Sequence, residues 1–184
     1  MHTYARAVRG RPALVLRGET GLFPDYRGRG ASYGFGMAYA FMEKLRHPFT
    51  PVYYLGTLVH PSSYHLFYKY FPTVYPHPAK TFPTRQRALA IELIESFPDP
   101  PVAPSDLLVR DVGWITVETS QERKLILESH RPDVQLFVTR NPGYPQGHGM
   151  VVVAPISFGN IVAAIFRRLR EVLLALLRIK SPRF

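Results

Sequence analysis

The amino-acid sequence predicts an α/β protein built on a mixed sheet, and three observations lead there. A β-prone run at residues 13–23, a glycine-rich turn, a helical repeat and a second β-prone run at residues 51–59 succeed one another as a β-α-β unit. Such a unit is expected to form a parallel strand pair with a right-handed crossover. A turn signal, Arg9-Gly10-Arg11-Pro12, sets residues 2–8 against the first of those strands as an antiparallel hairpin. Two more β-prone runs, residues 134–139 and 150–155, read as a second hairpin late in the chain.

Composition sets limits on what this sheet belongs to. A chain of 184 residues, 46% apolar and 20% charged, is long enough for one well-cored domain with a small appendage, and it is not disordered along its length. Eight of the 18 prolines fall between residues 72 and 104, where extended connections are expected. There is no cysteine, which excludes disulfides, thiolate metal sites and a cysteine nucleophile and fits a reducing compartment. A formal net charge of +10, mostly from arginine, favours an anionic ligand, nucleic acid or an anionic membrane surface. Nucleic acid is the weakest of the three, because no RNP-like strand, zinc-finger spacing or helix-turn-helix pattern is present. No apolar run reaches the roughly 20 residues that span a bilayer, and residues 1–10 carry no apolar signal region. The expected location is cytoplasmic, or peripheral on a membrane.

Taken in order, the strand at residues 13–23 puts Leu14, Leu16 and Leu22 on one face and Val15, Arg17 and Glu19 on the other. After the glycine turn, Tyr33, Met37, Phe41 and Leu45 recur at every fourth residue, so this stripe is expected to face the sheet. Gly34 and Gly36 inside that helix each cost about 1 kcal/mol relative to alanine. Either a close approach by the sheet or a ligand, or a frayed first turn, accounts for them. A short helix opens at Pro61 and Ser62, carries Tyr64, Phe67, Tyr68 and Phe71 at helical spacing, and stops at Pro72.

Residues 80–97 hold another helical pattern, with Leu89, Leu93 and Phe97 on one side. Residues 99–104 read as a stiff linker, residues 113–117 as a strand, and residues 120–129 as a helix with Ser120 at its N-cap. The glycine-rich stretch at residues 141–149 is the tip of the late hairpin, either lining a site or lying on the surface. The last helix, about 22 residues, has the apolar stripe Phe158, Ile161, Val162, Ile165, Leu169, Val172, Leu173 and Leu176, with Arg167, Arg170 and Arg178 off it. It packs on the domain or a partner subunit, or it lies on an anionic membrane.

The chemistry centres on Arg27-Gly28-Arg29-Gly30-Ala31-Ser32. Glycine lets successive backbone N–H groups turn inward and removes side chains that would hold a diphosphate away. A helix N-terminus adds about half a positive charge. The motif resembles the acetyl-CoA-binding signature of the GNAT acyltransferase superfamily, written as Arg or Gln, two free positions, Gly, one free position, then Gly or Ala. Arg27 and Gly30 match it, and Ser32 replaces the final small residue.

The resemblance implies an acyltransferase that takes an acetyl or other acyl group from acetyl-CoA or another acyl-CoA and passes it to an amine. It implies that Arg27, Gly28, Arg29, Gly30, Ala31 and Ser32 hold the pyrophosphate. The strand end at Gly21, Leu22 and Phe23 would pair with the pantetheine arm. The family's later helix carries a tyrosine that protonates the departing thiolate, and the run Leu66-Phe67-Tyr68-Lys69-Tyr70-Phe71 puts that role on Tyr68, which is otherwise a packed aromatic. The family's Asn near the start of this helix is replaced by Pro61 and Ser62. Glu19, the carboxylate on the presumed central strand, is either the base that deprotonates the amine or part of a rim salt bridge.

The resemblance covers residues 11–76, with residues 134–155 standing in for the family's last two strands. The family's N-terminal strands and helices have no counterpart. The expected architecture is therefore a GNAT-like mixed sheet, N-terminally truncated, with an inserted segment and a C-terminal amphipathic helix. Its parts are a CoA-binding core at residues 1–79, an insert at 80–133, a completing hairpin at 134–156 and the basic helix at 157–184. A non-catalytic CoA-binding or membrane-docking protein is the competing expectation. His60, His65, His77, His130 and His148 are scattered without metal-ligand spacing, and no Gly-x-Ser-x-Gly elbow supports a serine hydrolase.

Overall fold

The computed structural model describes residues 1–19 and 31–180. A six-stranded mixed sheet runs through it in the order β1-β2-β3-β6-β5-β4. β1 (His2–Val8) and β2 (Arg11–Arg17) form the expected hairpin. Its two turn residues, Arg9 and Gly10, both have positive φ (51° and 71°), the turn geometry that matches the twist of an antiparallel pair. α1 (Ala31–Arg46) then crosses to β3 (Val52–Leu58), which lies parallel to β2. α2 (Pro61–Tyr70) begins with proline at its first turn, and the His60 ring accepts the Ser62 N–H as its cap.

α3 (Thr84–Glu95) leads into an edge hairpin of β4 (Pro101–Ala103) and β5 (Asp106–Asp111). α4 (Ser120–Leu127) and α5 (Pro132–Arg140) precede β6 (His148–Pro155), which inserts between β3 and β5, antiparallel to both. α6 (Phe158–Lys180) closes the described chain.

Both faces of the sheet are covered. On one, Ala90, Leu93 and Ile94 of α3 pack on Ala13, Val15, Leu55, Val151 and Val153. On the other, Ala40, Tyr64, Phe137, Ile161 and Ala164 of α1, α2, α5 and α6 pack on Leu16, Tyr54, Val152 and Ala154. Burial on two faces explains why β6 is a continuous apolar run, with Met150 to Ala154 all buried, rather than an alternating one.

Several expectations are corrected. Residues 134–139 belong to helix α5, so residues 134–156 are not a hairpin. Pro132 in the first turn with Asp133 beside it sets a helix start, and Val134 and Phe137 reach the core at i, i+3; these signals override the β-branched composition. Residues 113–117 are irregular, and the strand is β5 instead. Its partner β4 lies inside the proline-rich linker, where an edge position tolerates the missing N–H of Pro101.

The cap of α4 is Thr119, not Ser120: its hydroxyl accepts the Glu122 N–H at 3.1 Å while Glu122 accepts the Thr119 N–H at 2.7 Å, a reciprocal capping box. α1 turns Tyr33, Met37 and Ala40 inward, leaving Phe41 and Leu45 exposed at the opposite end of the predicted stripe. Residues 141–149 form a pinned turn in which the Asn141 amide donates to the His148 carbonyl at 2.8 Å. Gly147 there has φ of 92° and lies so near Gly113 that a Cβ would sit 3.1 Å from its carbonyl carbon.

Candidate functional site

The parallel pair at the sheet centre opens into a cleft. β2 pairs with β3 only from Leu14–Val52 to Leu16–Tyr54, whereas β3 stays paired with β6 as far as Leu58–Met150. Past Tyr54, the β2 side of β3 therefore has no strand partner among the described residues. Arg17, Gly18 and Glu19 form one lip of the resulting cleft of about 620 Å³, and residues 55–59 form the other. Its inner wall is apolar, with Met37 and Ala40 from α1, Phe67 from α2 and Phe71 just after it, and Leu58 and Ile156 beside them.

Polar groups span the split. Arg17 Nη2 donates to Thr57 Oγ1 at 2.8 Å and to Asp99 Oδ2 at 2.6 Å, and Thr57 Oγ1 donates to the same Asp99 oxygen at 3.3 Å. The Arg17 guanidinium also lies 4.4 Å from the Phe97 ring centroid. Asp99 is held from behind, because Arg110 Nη1 donates to its carbonyl at 3.2 Å. These contacts tie β2 to β3 where backbone pairing has ended.

Two tyrosines face the cleft with their protons firmly held. Tyr54 is stacked on Phe67 at 4.6 Å, and burial pushes its hydroxyl up to about 12, with Arg17 pulling the other way. Gly56 makes that packing possible: a Cβ there would lie 2.8 Å from the Tyr54 ring. Tyr33, in the first turns of α1, is raised further, by burial first and by neighbouring Tyr70 second, with Arg168 opposing. Its hydroxyl is buried without a hydrogen-bond partner among the described residues. An unpaired buried hydroxyl is costly, and this one belongs to a residue of the cleft wall.

The structure distributes the sequence-derived candidates unevenly. Glu19 stands on the cleft lip and is exposed. Tyr68 sits on α2 with its ring 5.3 Å from His77 and is not part of the cleft wall, so Glu19 and Tyr68 are not brought together. Gly21, Leu22, Phe23, Arg27, Gly28, Arg29 and Gly30 lie outside the described residues, and Ala31 and Ser32 are the first two residues of α1. That helix start borders the cleft through Tyr33. Gly36 sits near the Met1 methyl, where a Cβ would be 3.5 Å away, while a Cβ on Gly34 would meet nothing within 4 Å.

No family model, curated protein or solved structure matches the chain. The site is therefore read from its own geometry. Arg17, Thr57, Asp99 and Tyr33 are the residues that sequence reasoning missed as site components. Arg17 and Thr57 carried one available signal, since a charged and a hydroxyl side chain on otherwise apolar central strands require polar partners. Among the described residues, no group of three or more His, Asp or Glu side chains is arranged to hold a metal ion.

Proposed function

We propose that the cleft binds an acyl-CoA and that the protein transfers its acyl group to an amine, on a GNAT-like mixed sheet. The observation that carries the reading is the divergence of two parallel central strands beside the N-terminal end of α1. An extended amide-bearing chain such as pantetheine is the natural partner for the unpaired edge of β3, by the same hydrogen bonding that adds a strand to a sheet. The glycine turn that precedes α1 in sequence supplies a diphosphate cradle at the other end of that chain.

In the reaction, the amine nitrogen attacks the thioester carbonyl, a C–N bond forms, the C–S bond breaks, and the thiolate takes up a proton. Glu19 on the lip accepts the proton lost by the amine. Tyr33 lines the cleft and Tyr68 does not, but burial holds the Tyr33 proton too firmly for it to protonate a thiolate, so the leaving sulfur takes its proton from solvent entering the cleft. The apolar wall of Met37, Ala40, Phe67 and Phe71 accommodates the acyl group.

Calorimetry with CoA and acetyl-CoA, together with thiol release assayed against primary amines, tests the reading. Saturable binding that Gly30→Glu abolishes supports it. Absence of heat at millimolar ligand, or binding unchanged by that substitution, overturns it. Binding without thiol release to any amine would leave a non-catalytic CoA-binding protein.

A further inference from the structure

α6 is attached by its polar side. Glu171 accepts hydrogen bonds from Lys69 and Tyr70 of α2, and Arg168 donates to the Tyr70 hydroxyl at 3.0 Å and to Glu171 at 3.1 Å. Near the helix start, the Asn160 amide donates to the carbonyls of Thr73 and Pro155 at 2.9 and 2.8 Å. Among its described side chains, Ile161 and Ala164 are the apolar residues that join the core. Val162, Phe166, Leu169, Leu173 and Leu177, spaced by three or four residues on one face, are 56 to 66% exposed.

α1 extends this surface. The Lys44 ammonium lies 5.7 Å from the Phe158 ring centroid, and Tyr33 at the other end of α1 packs at 4.7 Å on Tyr70, which Arg168 touches. The two helices thus run side by side in opposite directions. α1 turns Phe35, Met42 and Leu45 outward, and Phe49 just beyond it is 98% exposed.

We propose that this two-helix surface docks on an anionic lipid bilayer, with α6 lying in the plane of the interface. The inference is independent of the acyl-CoA reading. Large apolar side chains left exposed on two neighbouring helices mark an interaction site. Its charge selects the occupant. Glu171 is the sole carboxylate in residues 158–180 and is turned inward onto α2, whereas Arg167 and Arg170 are exposed. A second copy laid on this face would bring arginine rims together, while anionic headgroups supply the missing counter-charge. No helix among the described residues is long and apolar enough to cross a membrane, which leaves the interfacial orientation for α6.

Co-sedimentation of the full chain with vesicles of phosphatidylcholine, with and without phosphatidylglycerol, tests the proposal. The expected result is binding that requires phosphatidylglycerol and weakens with salt. R167Q/R170Q should weaken it on the order of 30-fold, since each cation near an anionic leaflet contributes a factor of about five. F166E/L169E should abolish it with the circular dichroism spectrum unchanged, because both side chains are exposed. Binding indifferent to phosphatidylglycerol, or no vesicle binding together with a dimer that F166E/L169E dissociates, overturns it.

Discussion

Replacing Asp99 by alanine removes the carboxylate on which the two donors of the cleft converge, Arg17 Nη2 at 2.6 Å and Thr57 Oγ1 at 3.3 Å. Arg17 retains the Thr57 hydroxyl at 2.8 Å and the Phe97 ring, so it is weakened rather than orphaned. A hydrogen bond to a charged group contributes about 1.5–3 kcal/mol. Arg17 and Asp99 are each 18% exposed, which screens the pair and selects the lower half of that range, about 1.5–2 kcal/mol. For a chain of this size, each kcal/mol moves the thermal midpoint by about 2–4 °C, so Asp99→Ala should melt roughly 3–8 °C lower. A double-mutant cycle with Arg17→Ala isolates the pair. The reasoning is refuted if Asp99→Ala costs as much in the Arg17→Ala background as in the natural sequence, because the two residues would then not be coupled across the split.

Other outcomes follow from the same geometry. Gly56→Ala puts a methyl 2.8 Å from the Tyr54 ring and 3.0 Å from Leu58 Cδ2, and should cost about 1–3 kcal/mol in chemical denaturation. Tyr33→Phe removes an unpaired buried hydroxyl, so stability in chemical denaturation should hold or rise, with thiol release from acyl-CoA unchanged. Tyr68→Phe should leave thiol release unchanged as well, because Tyr68 does not line the cleft; a loss of about a hundredfold would make it the proton donor after all. The Glu171 carboxyl is held at about 2, below its ordinary 4.5, chiefly by Lys69 and then Tyr70. A depressed carboxyl pKa stabilises fully above the unfolded value and is lost as pH falls through the folded one. The tie between α6 and α2 should therefore loosen between about pH 4.5 and 2, read as lost amide protection in α6, and Lys69→Ala should narrow that window.

The sequence made the β-α-β unit legible because three independent signals coincide there: the Arg9-Gly10 turn, the apolar run around Leu14–Leu16 and the helical repeat after residue 30. It misled at residues 134–139, where valine and phenylalanine content suits a strand but Pro132 and Asp133 dictate a helix start. β5 was invisible because Asp106, Arg110 and Asp111 interrupt its apolar pattern, and Arg110 is buried all the same. The cleft was out of reach for a different reason. Its polar members come from β2, β3 and the segment after α3, and only the folded sheet brings residues 17, 57 and 99 together. Tyr33 was placed correctly on an inward helical face, yet its unpaired hydroxyl could not be read from that placement.

The orientation of α6 is a consequence of α2 rather than of α6 itself. An isolated amphipathic helix would bury Phe166, Leu169 and Leu173 against any apolar neighbour. The neighbour offered here is the last turn of α2, which presents the Lys69 ammonium and the Tyr70 hydroxyl, and these satisfy Glu171 and engage Arg168. Rotating α6 to bury its larger side chains would strip those groups of their partners, and unpaired polar groups at a helix interface are expensive. Tyr70 is also the ring on which Tyr33 packs, so the contact that turns the apolar face of α6 outward is the one that backs the cleft wall. Any partner that pulls α6 away from α2 must therefore disturb Tyr33, whereas a partner that covers only the outer face leaves the cleft as it stands.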